Sequence, residues 1–173
     1  YTKSVSEKNK MQIKGIEVGH LFYFGSKYSK PLEANITNRD GDNIPVEMGS
    51  YGIGVSRLVG AIIDSHHDEK GICWPESVSP YKFGIVNLRQ NDEVCTNLSD
   101  NIYNNLINNN ITALYDDRDE GAGIKLAEMD LIGIPWQIRV GPRGVKNGSF
   151  ELVHRKTGKT IDIAINDADN ILK

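Results

Sequence analysis

Between residues 83 and 141, short apolar runs alternate with helical ones, and this alternation limits the possible folds more than any other feature of the 173-residue chain. FGIVNL (83–88), TALYD (112–116) and PWQIRVG (135–141) read as strands, rich in β-branched and aromatic residues. Between the first two, Val94, Leu98, Ile102, Leu106 and Ile107 recur at helical spacing, and a second helix is expected from about Ile124 to Ile132. A βαβαβ order calls for a largely parallel sheet with covering helices. SFELVHRKTGKTIDI (149–163) then reads as an antiparallel hairpin turning at Thr157 and Gly158, and Ile163 to Leu172 as a short closing helix.

The proline-punctuated stretch CWPESVSPYK (73–82) interrupts both periodicities and is the expected domain boundary. It places a first domain at 1–72, a linker at 73–81 and a second domain at 82–173. In the first, residues to about Lys14 read as a polar loop, Ile16 to Phe24 as a buried strand, NRDGDN (38–43) as a tight turn and Ile44 to Met48 as the next strand. A glycine-rich turn then enters a helix from about Val55 to Ser65.

Composition excludes more than it selects. Twenty Lys and Arg against twenty-three Asp and Glu leave a net charge of −3, which argues against nonspecific coating of nucleic acid or DNA. No run of eighteen apolar residues and no signal-peptide pattern is present, so a cytoplasmic protein without a membrane contact is expected. Cys73 and Cys95 have no CxxC or Cys/His ligand spacing and read as free thiols. The pair His66 and His67 at a helix end lacks a third metal ligand nearby and reads as a solvated terminus, so no metal site is assigned. The opening Tyr1, in place of Met, suggests a piece of a longer protein.

EMGSYGIGVSR (47–57) carries the clearest chemistry. A dinucleotide fingerprint would need a third small residue where Arg57 stands. A guanidinium reached across Gly52 and Gly54 instead suits a phosphate, with its flat face free to stack on a purine. The second domain offers DDRDE (116–120) just past a strand, at the edge where open α/β sheets bind ligands.

These residues resemble a known family. EMGSYGIGVSR looks like motif 3 of a class II aminoacyl-tRNA synthetase, and GIEVGHLFYFGSKYS (15–29) is similar to the segment preceding it in bacterial prolyl-tRNA synthetase. CWPESVSPY and LYDDRDEGAGIKLAEMDLIGIPWQIRVG (114–141) resemble the linker and anticodon-binding domain of that enzyme. The resemblance implies the C-terminal part of an antiparallel class II catalytic sheet with its motif 3 helix, followed by an α/β anticodon-binding domain with a mixed five-stranded sheet. It implies ATP and Mg²⁺ as cofactors, proline and proline tRNA as partners, and a homodimer in the full-length protein. Motifs 1 and 2 do not occur in these residues, so the chain alone is expected to be inactive.

Residue by residue, the resemblance assigns Arg57 to the γ-phosphate and adenine of ATP, with Gly52 and Gly54 shaping the floor and Glu17 nearby. His20 and Ser50 fall at the proline pocket, and Glu47 sits on the strand leading in. Strand alternation places Glu17 and His20 on opposite faces, so His20 is the expected ligand contact. Carboxylates suit the exposed edges of the two anticodon guanines, which makes Asp117, Arg118 and Lys125 the expected anticodon contacts, with Glu128 and Arg139 behind them. GPRGVKNG (141–148) reads as a basic turn facing the RNA backbone. A sister synthetase for threonine, histidine or glycine, or a non-catalytic RNA-binding paralogue, shares parts of this pattern.

Overall fold

The computed structural model describes residues 5–11 and 13–172, which divide into two compact units, 1–61 and 62–173. In the first unit β1 (Gly19–Gly25) pairs antiparallel with β4 (Met48–Ile53), and β2 (Asn35–Thr37) with β3 (Asn43–Pro45). The expected strand at 44–48 is therefore split, because Pro45 has no N–H to donate and ends β3. The glycine-rich run expected as a turn is strand instead. Gly49 fits there because its Cα hydrogen faces the Phe22 carbonyl, where a Cβ would stand 3.1 Å away. Helix α1 (Val55–Ser65) has the expected bounds, and the border between the two units falls within it.

Little of the first unit is covered. Leu21 is 78% exposed and Tyr51 81%, and Phe22, Tyr23, Ile53, Val55 and Val59 are also open. A two-stranded ribbon has one partner edge and no second layer, so it cannot bury its own apolar side chains.

The second unit contains its own core. Its sheet has the order β11–β10–β9–β7–β8, built from β7 (Phe83–Asn87), β8 (Ala113–Asp116), β9 (Trp136–Val140), β10 (Ser149–His154) and β11 (Thr160–Ala164). β7 runs parallel to both neighbours, and β9–β10–β11 form an antiparallel flank. The mixed five-stranded sheet matches the architecture expected from the resemblance.

Helix α2 (Glu93–Asn108) covers one face, where Cys95, Ile102 and Leu106 meet Phe83, Ile85, Ile138, Val140 and Phe150. Helix α3 (Ala122–Ile132) has Met129 packed with Val86 and Ile134 in a second cluster. The alternation of β7 assigns its residues to the two clusters, as period-2 geometry requires. Gly84 admits Met129, whose Sδ would lie 2.5 Å from a Cβ there. Asp92 caps α2 by accepting from the N–H groups of Val94 and Cys95. Burial raises both free thiols, that of Cys95 to about 11.

Two elements escape the sequence reading. The residues after α1 form a minimal hairpin, β5 (His67–Asp68) with β6 (Gly71–Ile72), and the basic turn at 141–148 contains a short helix, α4 (Pro142–Lys146). The expected closing helix is a run of 3₁₀ turns at Ile165–Leu172. The hairpin and the proline-rich stretch belong to the second compact unit, where Gly133 ends α3 in the left-handed region at φ +82°. A Cβ at Gly133 would stand 2.1 Å from the Ile72 carbonyl oxygen.

Gly133→Ala is thus expected to cost more than about 1 kcal/mol through both strain and collision, and Ile138→Ala about 2–5 kcal/mol through the cavity it leaves. Urea midpoints of the two variants against the parent chain check both values.

Candidate functional site

In the first unit the candidate residues gather around the β1–β4 ribbon. The Gly54 N–H donates to the Val18 carbonyl at 2.9 Å, and the Gly54 carbonyl accepts from Leu58 N at 2.8 Å, so one residue carries the chain from strand into helix. That placement puts Arg57 in the first turn of α1, where one terminal nitrogen donates to the Glu17 carbonyl at 3.2 Å. His20 pairs across the ribbon with Gly52, and Phe22 with Ser50, so His20 and Ser50 share a face. A Cβ at Gly52 would meet nothing within 4 Å, and its absence keeps the groove floor bare without serving the fold.

The open groove has a volume of about 560 Å³ and is lined by Gly19, His20, Leu21, Tyr51, Gly52 and Ile53. The placement of Glu17 differs from expectation. Its Oε1 lies 3.2 Å from His20 Nδ1, so the two residues converge and do not face apart. Regular β1 begins at Gly19, and strand alternation does not extend back to Glu17. The His20 ring also stacks on Phe22, centroids 4.0 Å apart, which fixes its plane. Glu47 accepts a hydrogen bond from the Tyr23 hydroxyl and holds its pKa above the usual value. Among the described residues no group of three or more His, Cys, Asp or Glu could hold a metal ion.

In the second unit the carboxyl ends of β7, β8 and β9 carry the charged candidates. Arg118 grips Asp116 with two nitrogens, Nε to Oδ1 at 3.0 Å and a terminal nitrogen to Oδ2 at 2.8 Å, and also bonds Glu128. The guanidinium of Arg118 is the first cause that holds the Asp116 carboxyl below its ordinary range. Asp117 is exposed beside it. Asn91 Nδ2 donates to Asp119 Oδ1 at 3.0 Å and joins the loop after β7 to the loop after β8.

Lys125 requires a correction. It was expected to reach the RNA, but it is fully buried, and its ammonium donates to the Asn87 carbonyl at 2.6 Å and the Arg118 carbonyl at 2.8 Å, with Asp116 Oδ1 at 3.5 Å. Two hydrogen bonds to backbone carbonyls and an ion pair with Asp116 hold the buried ammonium within the chain, away from any phosphate. Its work is to hold the loop that carries Asp117 and Arg118. Glu128 is half-exposed and tied to Arg118.

Arg139 donates to Gln137 Oε1 at 2.8 Å and lines a groove of about 420 Å³ with Arg89, Arg143, Gly141, Ala122 and Glu151. Sequence reading missed Arg89 and Glu151. Arg89 stands two residues beyond the end of β7, where the carboxyl-edge rule applies as it does to DDRDE. Glu151 has no such signal, since its position depends on the register of β10 against β9, which pairs it with Arg139.

Fold and edge chemistry together define an α/β domain that presents guanidinium and carboxylate groups along the carboxyl ends of parallel strands. Residues 82–173 match the family described as the anticodon binding domain, and the chain belongs to that family. Nearly the whole chain, first unit included, is similar to proline–tRNA ligases. The one from Zymomonas mobilis is 52% identical over 161 residues, covering 93% of this chain and 36% of the relative. That of Hyphomonas neptunium is 51% identical over 164 residues, covering 95% and 37%. That of Caulobacter vibrioides is 53% identical over 156 residues, covering 90% and 35%. The chain spans about a third of the length of these curated relatives.

Among solved structures, prolyl-tRNA synthetase from Cryptosporidium parvum complexed with L-proline and AMP superposes with a TM-score of 0.76. That likeness covers 90% of this chain and 32% of the other at 22% identity, and it is one of fold. No helix among the described residues is long and apolar enough to cross a membrane.

Lys125→Met is expected to destabilise the second unit by about 3 kcal/mol, the order found when one partner of a buried pair is removed; urea unfolding measures it. The Asp116 pair is also visible in pH. Because its native pKa is lowered, its contribution is complete above the unfolded carboxylate value near pH about 4 and fades as pH falls toward the native value. Asp116→Asn should therefore flatten the acid decline of the urea midpoint below pH about 4.

Proposed function

We propose that the chain is the C-terminal part of a prolyl-tRNA synthetase, supplying the motif 3 floor for ATP and the domain that reads the anticodon. The observation that carries this reading is identity of about half to proline–tRNA ligases, running through both units and covering 93% of the chain. In the whole enzyme, proline and ATP form prolyl-adenylate and pyrophosphate, and the prolyl group then passes to the 3′-terminal ribose of proline tRNA.

The residues of the first unit suit the activation step. Arg57, fixed by the Glu17 carbonyl, offers a guanidinium to the triphosphate and a flat face to the purine. Gly52 leaves room for the nucleotide to approach the backbone, and His20 and Ser50 face the amino acid from the same side of the ribbon. Binding and charge stabilisation carry both steps, without a protein nucleophile. Magnesium, when bound with ATP, offsets phosphate charge.

The open apolar ribbon of the first unit supports membership in a larger sheet completed by the rest of the full-length protein, which acts as a homodimer in the cytoplasm. In the second unit, Asp117, Arg118, Glu128, Arg139, Arg89 and Arg143 surround the carboxyl edge, where carboxylates accept from guanine N–H groups and guanidiniums hold phosphates or base acceptors.

Filter binding of the chain to a proline tRNA anticodon stem-loop, beside one with both anticodon guanines replaced, tests the anticodon reading. Tighter binding of the native loop is expected, weakened by Arg139→Ala and by rising salt; equal binding to both RNAs would refute it. In the full-length protein, Arg57→Ala should slow proline-dependent pyrophosphate exchange by about 100-fold, the scale of one lost charge-stabilising group.

A further inference from the structure

Among the described residues a single acid, Glu151, lines the groove of about 420 Å³ at the carboxyl edge of the second unit. It is exposed on β10, and among the described residues no hydrogen bond or ion pair engages its carboxylate. The other acids near this edge differ. Asp116 and Glu128 are tied to Arg118, and Asp119 accepts from Asn91. Asp117 and Glu120 are exposed but do not line the groove.

Strand register makes the free state of Glu151 informative. Glu151 stands opposite Arg139 on β9, where a cross-strand ion pair is the ordinary outcome. Arg139 is instead drawn aside, with Nε and a terminal nitrogen donating to Gln137 Oε1 at 3.3 and 2.8 Å, and with Asp130 Oδ1 at 3.7 Å. On the other side Glu151 faces Asp162 of β11, which brings no counter-charge. Arg89 and Arg143, the remaining cations of the groove, form no ion pair among the described residues. The groove therefore keeps charges of both signs apart and unspent, beside the apolar surface of Leu88 and Pro142.

A carboxylate among guanidiniums repels phosphate, so it favours an RNA ligand only where that ligand presents donors to it. An ionised carboxylate accepts with both oxygens and donates nothing. Guanine offers two adjacent donors, N1–H and the 2-amino group, which match that pair of oxygens. Adenine and cytosine place a ring acceptor beside their amino group, and uracil has one N–H between two carbonyls, so each sets an acceptor against the carboxylate. The volume lies within the range of about 300–1,000 Å³ usual for small-ligand sites and accommodates one nucleotide. We infer that Glu151 is a specificity-determining residue that reads one anticodon guanine through its N1–H and 2-amino group, while the guanidiniums of the groove hold the phosphate. The inference rests on the anticodon reading of this edge.

The test is filter binding of the full-length protein, parent and Glu151→Ala, to proline tRNA anticodon stem-loops. One loop is native, two have inosine in place of one or the other anticodon guanine, and a fourth has both guanines replaced by adenine. Inosine lacks only the 2-amino donor. The parent is expected to bind one of the two inosine loops about 10-fold more weakly than the native loop, the scale of one hydrogen bond to a charged group. Glu151→Ala is expected to bind that inosine loop and the native loop within about twofold of each other, with an unchanged urea midpoint. Three results overturn the inference and leave the anticodon reading standing, provided the parent still rejects the adenine loop. They are parent indifference to both inosine loops, a variant that keeps the parent's guanine preference while binding every loop more tightly through loss of a repulsive charge, and a lost preference accompanied by a lower urea midpoint. A parent protein that binds the native and adenine loops equally overturns the anticodon reading as well.

Discussion

A fully buried ammonium holds the working edge of the second unit together. Lys125 reaches from the first turns of α3 to the last carbonyl of β7, the carboxylate that ends β8 and the carbonyl of Arg118 in the next loop. Parallel strands leave their carboxyl ends without a hairpin to close them, and two loops there must turn in separate directions toward α2 and α3. A charge in that position would be costly unpaired, and here two carbonyls and a carboxylate surround it. The exposed pairs around it, Arg118 with Asp116 and Glu128, inherit a fixed backbone and gain direction from it.

The first unit obeys a different constraint. Its ribbon has good pairing through six register positions, yet Leu21, Tyr23, Tyr51 and Ile53 stay open, because two strands provide no opposing layer. What order it does have comes from short polar ties: Gly54 to Val18, Arg57 to Glu17, and Glu17 to His20. These ties are the candidate site itself. Site geometry is thus encoded locally even where core burial is not, and this explains why Arg57, Gly52 and His20 are assembled on a ribbon that hides almost nothing.

Periodicity made the long elements legible. The bounds of α1, the order of strands and helices after residue 82 and the final hairpin all follow from apolar spacing and turn residues. What escaped depends on partners distant in sequence. A two-residue strand has no period, and β5 exists because Arg155, 87 residues later, captures Asp68. Lys125 reads as an anticodon contact, since nothing nearby in sequence announces the two carbonyls that accept its protons. Asp116 and Asp117 are chemically alike, and only strand alternation at the end of β8 decides that the first turns inward to Arg118 and Lys125 while the second stays exposed. The convergence of Glu17 and His20 shows the opposite error, a rule of alternation carried past the residue where the strand begins.

The choice of ions over apolar contact at the joint between hairpin and α3 has a physical consequence. Apolar surfaces are non-directional and tolerate small slips at little cost. A bidentate guanidinium–carboxylate pair does not, because both N–H to oxygen bonds lose alignment together. In the buried Arg155 all three nitrogens donate, two to the Asp68 carboxylate and Nε to the Asp130 carbonyl, which fixes the guanidinium in one orientation. Asp130 also receives Gln137 and lies 3.7 Å from Arg139, so a change in how the groove residues are held is felt by the same carboxylate that stands beside the joint. A weld of this kind contributes less to net stability than an apolar patch of equal area. What it adds is a fixed register between the hairpin and the end of α3.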